Sequence, residues 1–298
     1  MWPVDDLVAW ADLGPPSRVV RRAPWASVVV WERPESSVWG KAMCPGFAAE
    51  CRILPLLARR RPDKVLEPRR VDPDRGLLLL PDGGPTIDTG LDAAAWTDFI
   101  VGYAGLQQDL VGCEARLLAA GCVDLRPGAA VKRLAQHMES GAVDHRQHLV
   151  DWLGAVADGL SDEIPPTIQH DDLQPSNVLL DGRILDWGDA SLAHPFASLL
   201  TALMPGNPRR PGRPAERRAM RDAYLASWAT RLGLDIANPT TSTWLRKQVD
   251  LAMLLAPIGR IDTWLRAPQE ALLQYPDAID RWIDHLERSY AEPTSNAL

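Results

Sequence analysis

The hydrophobic pattern of this sequence changes at "PDGGP", residues 81–85. Before this segment, short runs of β-branched and aromatic residues are separated by Pro, Glu and Ser turn signals, which predicts strands. These runs are "SRVVRR", "ASVVVWER", "SSVWGKAM" and the two halves of "KVLEPRRVDPDRGLLLL". One helix is expected among them from about Gly46, with a kink or a new turn at Pro55 because proline lacks an amide proton.

After "PDGGP" the pattern becomes helical. Residues from about 91 to 160 are rich in Ala and Leu at helical spacing, and residues 196–288 return to that pattern. Between them, "NVLL" and "RILD" are strand-like and are joined by "DG", a strong hairpin signal. We predict an α+β fold with two lobes: a small antiparallel sheet with one helix at residues 1–82, and a larger, mainly helical lobe at residues 83–298.

Composition and charge exclude several classes of protein. The 298 residues are 46% hydrophobic, and the net charge of −7 argues against a nucleic-acid binder, whose footprint is basic. The start "MWPVDDLVAW" lacks the basic and apolar regions of a signal peptide, and the run "DLAMLLAPI" is too short to cross a bilayer. The four cysteines have no zinc-ligand spacing. We therefore expect a cytoplasmic protein with reduced thiols and neither nucleic-acid nor membrane partners, while its oligomeric state stays open.

Acidic and amide residues are concentrated in "QHDDLQPSNVLLDGRILDWGDA". His170, Asp172 and Asn177 have the spacing H-x-D-x-x-x-x-N, and Asp186 opens "DWGD" nine residues after Asn177. The predicted hairpin brings Asn177 and Asp186 side by side, and such hard oxygen ligands suit Mg²⁺. Asp172 would then act as a base or orienter for an alcohol. Each residue alone is also typical of a turn, but so many adjacent acids would repel one another without a cation.

A lysine and a glutamate upstream complete the pattern. Lys41 ends the third strand-like run, and Glu50 lies beside the apolar face of the predicted helix. A glutamate in that position needs a partner, and Lys41 is the natural one. A Lys–Glu pair of this kind orients a lysine towards the α- and β-phosphates of a nucleotide.

Taken together, these motifs resemble the aminoglycoside phosphotransferase family, which also includes choline and other small-molecule kinases. "WGKAM", "GFAAE", "LLLLPDGG", "HDDLQPSN" and "ILDWGDA" occur in the family's order and extend over most of the chain. The resemblance implies a two-lobed protein-kinase-like fold and ATP-dependent phosphoryl transfer to a small hydroxylated acceptor. It also implies that Asp172 is the catalytic base, that Asn177 and Asp186 bind Mg²⁺, and that Lys41, held by Glu50, contacts phosphates. His170 is expected to be structural.

The nucleotide contacts are harder to assign, because no G-x-G-x-x-G occurs near the N-terminus. The equivalent turn is expected in "RRAPWAS", where backbone amides and Ser27 would reach phosphate. In the hinge, Leu80 is expected to contact the nucleotide. Pro81 has no N–H, so adenine would find its donor at Asp82 or Gly83. ATP and GTP are not distinguished.

Three positions in the loop depart from the family pattern or stay ambiguous. Asp171 stands where glycine is usual, although the five-residue step to Asn177 favours Asp172 as the base. Gln174 stands where a second histidine is common. Asp189 is expected either to contact a second metal or, slightly favoured, to cap the following helix.

The acceptor itself is not specified by these motifs. A polycationic aminoglycoside would need acids, and the C-terminal segment offers Asp262, Glu270, Asp277, Asp280, Asp284 and Glu287. The last four form a helical stripe, however, which is more typical of a solvated face. The basic run from Arg209 to Arg221 is interpreted as an exposed loop and helix start.

Two other functions remain open. A non-catalytic nucleotide-binding regulator, or pseudokinase, would have lost the base, a metal ligand or the lysine, yet all are present. A metal-dependent hydrolase would need neither Lys41, Glu50 nor an adenine hinge, and would leave the first lobe unexplained.

Overall fold

The computed structural model describes residues 2–87, 92–204 and 213–292. Its N-terminal part is a five-stranded antiparallel sheet in the order β1-β2-β3-β5-β4. The strands are β1 (Arg18–Arg22), β2 (Ala26–Trp31), β3 (Val38–Met43), β4 (Arg70–Asp72) and β5 (Leu77–Pro81). All five predicted strands are therefore confirmed. Helix α2 (Glu50–Arg60) is inserted after β3 and continues through Pro55.

A short helix that the sequence did not predict covers the back of this sheet. Helix α1 (Val4–Ala11) buries Leu7 and Trp10 in one cluster with Val29 and Trp31 of the sheet. It is only eight residues long, below the length at which a periodic pattern is distinctive. Helix α1 covers one face of the sheet. Residues on the opposite face, such as Val28 and Lys41, line the cavity between the lobes.

The remainder is mainly helical. Its helices are α3 (Ala93–Asp109), α4 (Glu114–Ala120), α5 (Pro127–Glu139), α6 (Gln147–Asp158), α7 (Ser198–Leu203), α8 (Pro214–Leu232), α9 (Pro239–Arg266), α10 (Gln269–Gln274) and α11 (Asp280–Ala291). A three-stranded sheet contains β6 (Val123–Leu125), β7 (Thr167–Gln169) and β8 (Ser191–Ala193), in the order β6-β8-β7. Within the described ranges, no helix is both long and apolar enough to span a bilayer.

Two predictions about this part need correction. Strand β6 lies in a stretch assigned to helix, because three residues are too few to break the surrounding helical pattern. The "NVLL" and "RILD" pieces do fold back at Gly182, whose φ is +84°, but they form a single bridge between Val178 and Ile184 rather than two strands. The boundary at residue 82 stays a prediction.

Arg266, at the end of α9, forms contacts between the helical lobe and the segment that precedes α2. Its Nη1 donates to Gly46 O (2.6 Å) and Gly188 O (3.4 Å), and its guanidinium lies 5.2 Å from the centre of the Phe47 ring. Its Nε donates to the buried carboxylate of Asp262 at 2.9 Å. A Cβ on Gly46 would lie 2.1 Å from Arg266 O, so this close approach of the lobes requires glycine.

Candidate active site

The loop after β7 is organised around a buried histidine. His170 Nε2 is 2.7 Å from Leu185 O, and its Nδ1 accepts from the Asp172 amide at 3.3 Å. Burial lowers the pKa of His170, so the neutral ring joins both segments as donor and acceptor. Both ring nitrogens are therefore engaged within the loop, in agreement with a structural role.

Asp172 is held from two sides and lines a cleft between the lobes. Its Oδ2 accepts from Gln174 Nε2 at 2.8 Å and from Asn177 Nδ2 at 3.1 Å, and Asn177 also donates to its backbone carbonyl. Its side chain is 27% exposed. The glutamine at the family's usual second histidine position is thus part of the frame that orients this carboxylate.

Lys41 joins the two lobes electrostatically. Its Nζ donates at 2.5 Å to both Glu50 Oε2 and Asp186 Oδ1, which brings together three residues predicted from separate motifs. Burial works against the charge on Lys41, but the carboxylates of Asp186 and Glu50 outweigh it and raise its pKa. Glu50 is buried and also accepts from the Trp187 amide at 3.2 Å.

Asn177 and Asp186 lie on the two arms of the hairpin and line the same cavities. The Leu185 amide donates to Asn177 O at 2.8 Å, and Asp186 then adopts a left-handed backbone with φ of 64°. Desolvation in the cleft works against ionisation of Asp186, yet Lys41 lowers its pKa. Asp186 therefore stays a carboxylate.

The donor set fits Mg²⁺ bound together with a nucleotide. Asn177 uses its amide nitrogen towards Asp172, and Asp186 uses one oxygen towards Lys41, so one hard oxygen on each remains for a cation. In the part of the chain that the structure describes, no group of three or more His, Cys, Asp or Glu residues could hold a metal. A Mg²⁺ ion on Asn177 and Asp186 would therefore need further oxygen ligands, and substrate phosphates and water commonly supply these for Mg²⁺.

Two cavities meet at these residues. The hinge-side cavity, about 340 Å³, lies between the sheet and the hinge, and its lining includes the apolar residues Val28, Leu66, Leu80, Leu179 and Leu185. The acceptor-side cavity, about 440 Å³, extends towards α9 and is lined by Asp172, Asp189, Arg260, Thr263 and Trp264 among others. Lys41, Asn177 and Asp186 line both cavities.

Two backbone N–H groups of the hinge, those of Asp82 and Gly83, were predicted as hydrogen-bond donors to an adenine ring. The Asp82 amide already donates to Ser37 O at 3.2 Å, and the Asp82 carboxylate accepts from Trp39 Nε1 at 3.3 Å. Gly83 also lines the cavity, and a Cβ there would lie 2.4 Å from Leu179 Cδ1. Of the two candidate donors, the amide of Asp82 is therefore already engaged within the protein.

The prediction that Ser27 reaches phosphate is wrong. Ser27 is fully buried, and its Oγ donates to Trp2 O at 2.8 Å, on the side of the sheet that faces the N-terminal segment. Side chains alternate along a strand, so Ala26 and Val28 line the hinge-side cavity instead. Arg21 and Trp25 line both cavities.

Arg260 is a site residue that sequence reasoning missed. Its Nη1 donates to Asp171 O at 2.7 Å and lies 3.4 Å from Asp189 Oδ2, and its Nη2 is 3.9 Å from Asp172 Oδ1. Asp189 therefore pairs with Arg260 and does not serve as a helix cap. The available signal was a lone arginine directly after the apolar run "LAMLLAPIG".

Asp171 is directed into the interior and away from the cleft. Its φ is 59°, a left-handed conformation that favours glycine but that aspartate tolerates, and its carboxylate accepts from the Ser191 hydroxyl. Burial raises the pKa of Asp171 to about 6, against the opposing effect of the Ser191 hydrogen bond. Between the two adjacent acids, Asp172 is thus the one available to a substrate.

Asp171→Asn is expected to alter the pH dependence of stability. Because the folded pKa lies near 6 and the unfolded value near 3.8, the protonated carboxyl stabilises the fold below pH 3.8. As pH rises through 6, this contribution, about 3 kcal/mol, is lost from the wild type and not from the amide. Urea unfolding from pH 4 to 7.5 measures the difference. Asp6→Asn, an exposed change in α1, is the control, and parallel curves for wild type and Asp171→Asn would contradict the argument.

None of the acidic residues predicted from the C-terminal segment is among the described residues that line the two cavities. Asp262 is buried and pairs with Arg133, His137 and Arg266, so it serves the packing of α9. Glu287 pairs with Arg146 and His148. Part of the basic run from Arg209 to Arg221 lies outside the described residues.

Comparison with known proteins adds to this geometry. Residues 88–235 match the model of the phosphotransferase enzyme family. No curated protein sequence matches the chain.

Several solved structures share the fold at low identity. The macrolide 2'-phosphotransferase MphH from Brachybacterium faecium is 18% identical with a TM-score of 0.57, over 94% of this chain and 96% of that chain. Plasmodium vivax ethanolamine kinase is 11% identical with a TM-score of 0.62, over 94% and 85%. Choline kinase from Cryptosporidium parvum is 12% identical with a TM-score of 0.56, over 93% and 90%. The predicted two-lobed architecture is therefore confirmed.

Proposed function

This chain is a member of the phosphotransferase enzyme family, matched over residues 88–235, and from that membership we propose that it is an ATP- and Mg²⁺-dependent kinase of a small molecule. It would transfer the γ-phosphate to a hydroxyl of an acceptor such as an aminoglycoside, amino sugar, amino alcohol or sugar. The observation that carries the proposal is the position of Lys41, which contacts Glu50 and Asp186 where the two cavities meet.

The hinge-side cavity suits the nucleotide. Its apolar walls match the faces of an adenine ring, and Gly83 N–H is our candidate donor to the ring edge. The phosphates would then extend towards Lys41, and Arg21 lines the same cavity. In this arrangement Lys41 is held by the carboxylates of Glu50 and Asp186, and Arg21 belongs to the edge strand β1.

Asp172 is proposed as the base that accepts the proton of the attacking hydroxyl. The amides of Gln174 and Asn177 hold one of its oxygens, so the carboxylate is oriented before the acceptor arrives. Asn177 and Asp186 would hold Mg²⁺, which neutralises charge on the phosphoryl oxygens during transfer. Arg260 fixes the backbone of the loop at Asp171 and thereby the position of the base.

The direct test is ADP release from MgATP across a panel of aminoglycosides, amino sugars, amino alcohols and sugars. We expect at least one compound to stimulate ADP release by the wild type and not by Asp172→Ala. If no compound does so, a thermal shift with MgATP is measured. A shift would favour the pseudokinase alternative or an acceptor outside the panel, whereas no shift would contradict the nucleotide site itself.

A further inference from the structure

The far wall of the acceptor-side cavity is aromatic. Trp25, from the turn between β1 and β2, contacts Trp264 of α9 with ring centroids 6.0 Å apart. Tyr275, after α10, lies 5.9 Å from Trp25 and 5.5 Å from Trp264. Trp25 and Trp264 line the cavity together with Phe47, Thr263 and Ala267. Tyr275 packs against both rings and is not among the described lining residues. We name Trp25 and Trp264 the aromatic wall.

The carboxylates around this cavity are already engaged. Among its described lining residues the acids are Asp172, Asp186 and Asp189. Asp186 pairs with Lys41, Asp189 lies 3.4 Å from Arg260, and Asp172 is held by two side-chain amides. Three cationic side chains in the same lining, Arg21, Lys41 and Arg260, balance these three carboxylates, so a polycationic acceptor would meet no excess of negative charge.

Cations of the protein already lie over two of the aromatic rings at this cavity, those of Trp25 and Phe47. The Arg21 guanidinium lies 5.3 Å from the centre of the Trp25 ring, and that of Arg266 lies 5.2 Å from the centre of the Phe47 ring. Of these two guanidinium groups only that of Arg21 is among the described lining of the cavity, where Arg260 provides a second one. A cation placed against these rings would be repelled by its neighbours, so the attraction between a cation and an aromatic face is already satisfied within the protein.

We propose that the acceptor is a neutral hydroxylated ring with one apolar face, which stacks on Trp264 and directs a hydroxyl towards Asp172. This inference rests on the proposed function and narrows its acceptor class. Sugars and cyclitols have the required chemistry, because their axial C–H groups form an apolar face while their hydroxyls reach Thr263 and Asp172. Polyamine-like and quaternary-ammonium acceptors are disfavoured by the cationic side chains Arg21, Lys41 and Arg260 in the same lining.

Trp25 adds a link between the two substrates. It lines the hinge-side cavity as well as the acceptor-side cavity, and it belongs to the turn that covers the expected phosphate position. A nucleotide that orders this turn also fixes one ring of the aromatic wall. We therefore expect MgATP to increase the affinity for the acceptor.

The test uses pairs of acceptors that differ in charge at constant ring size. Methyl glucoside is compared with methyl glucosaminide, and inositol with a diaminocyclitol, while choline serves as the quaternary-ammonium probe. We expect the neutral member of each pair to have at least about tenfold higher kcat/KM, which corresponds to about 1.4 kcal/mol. A preference for the charged members would overturn the inference and leave the kinase proposal intact.

Substitutions at Trp264 test whether acceptor binding depends on the aromatic wall. Trp264→Ala is expected to raise the acceptor KM at least about tenfold and to raise it more than the KM for MgATP, and Trp264→Phe is expected to restore part of the loss. Trp152→Phe, on α6 and outside both cavities, is the matched control and should behave as the wild type. An unchanged acceptor KM in Trp264→Ala would overturn the inference.

A binding measurement separates this inference from the proposed function. Quenching of tryptophan fluorescence by each acceptor is recorded with and without MgATP, in the wild type and in Trp264→Phe. Quenching by neutral rings that depends on Trp264, without any turnover, would support the aromatic wall and count against the kinase. Absence of both quenching and turnover for the neutral rings would overturn the inference.

Discussion

Asp172→Ala is expected to reduce kcat by about 10³-fold, within the 10²- to 10⁴-fold range typical of a general base. The acceptor hydroxyl would lose the group that takes its proton, while the nucleotide contacts of Lys41 and the hinge would remain. The KM for MgATP is therefore expected to change little. Steady-state ADP release at saturating acceptor measures kcat, and a thermal shift with MgATP verifies that the nucleotide still binds.

The control for Asp172 is another acid in the same segment. Asp181 lies at the hairpin turn, pairs with Arg183 and lines neither cavity, so Asp181→Ala should retain wild-type turnover. If Asp172→Ala also retained near-normal turnover, Asp172 would be excluded as the base. Asp171 is not a substitute, because its carboxylate is buried against Ser191.

Lys41→Met is expected to affect both stability and nucleotide binding. The substitution keeps much of the side-chain volume but leaves Glu50, whose side chain is 2% exposed, as an unpaired buried charge. Breaking a buried ion pair in this way costs about 3–5 kcal/mol. The KM for MgATP should rise because the phosphates lose their fixed cation. Urea unfolding and ATP-dependent kinetics measure the two effects.

The double variant Lys41→Met/Glu50→Gln separates the two effects. Replacing the glutamate removes the unpaired charge, so we expect it to recover most of the lost stability. It does not restore the cation, so ATP kinetics should stay as impaired as in Lys41→Met. Unchanged ATP kinetics in the single variant would contradict the role of the pair, and a double variant no more stable than the single one would contradict the electrostatic explanation.

Residues in local motifs were the ones that sequence reasoning located well. The step from Asp172 to Asn177 and the turn before Asp186 lie within one short segment, so local geometry alone brings them together. Lys41 and Glu50 were paired correctly because a strand and the helix that follows it have few ways to pack. In each case, the chemistry of the side chain and a short connection limited the alternatives.

The remaining site residues depend on packing over long sequence separations. Arg260 reaches the loop from a helix that begins more than sixty residues after Asn177, and no local pattern connects the two. Ser27 was predicted as a site residue but is not one. A shift of one residue along a strand reverses the face on which a side chain lies, and sequence alone did not fix that face for β2. The aromatic wall joins Trp25 to Trp264 across both lobes, and twelve scattered tryptophans did not indicate which would meet.

The contact of Arg266 with Gly46 and Phe47 bears on the position of helix α2. It holds the segment that leads into α2 against the end of α9, and α2 carries Glu50. A movement of α2 that separated Glu50 from Lys41 would therefore also have to break the contact between Gly46 and Arg266. The ion pair and the contact between the lobes are thus mechanically coupled through one short segment.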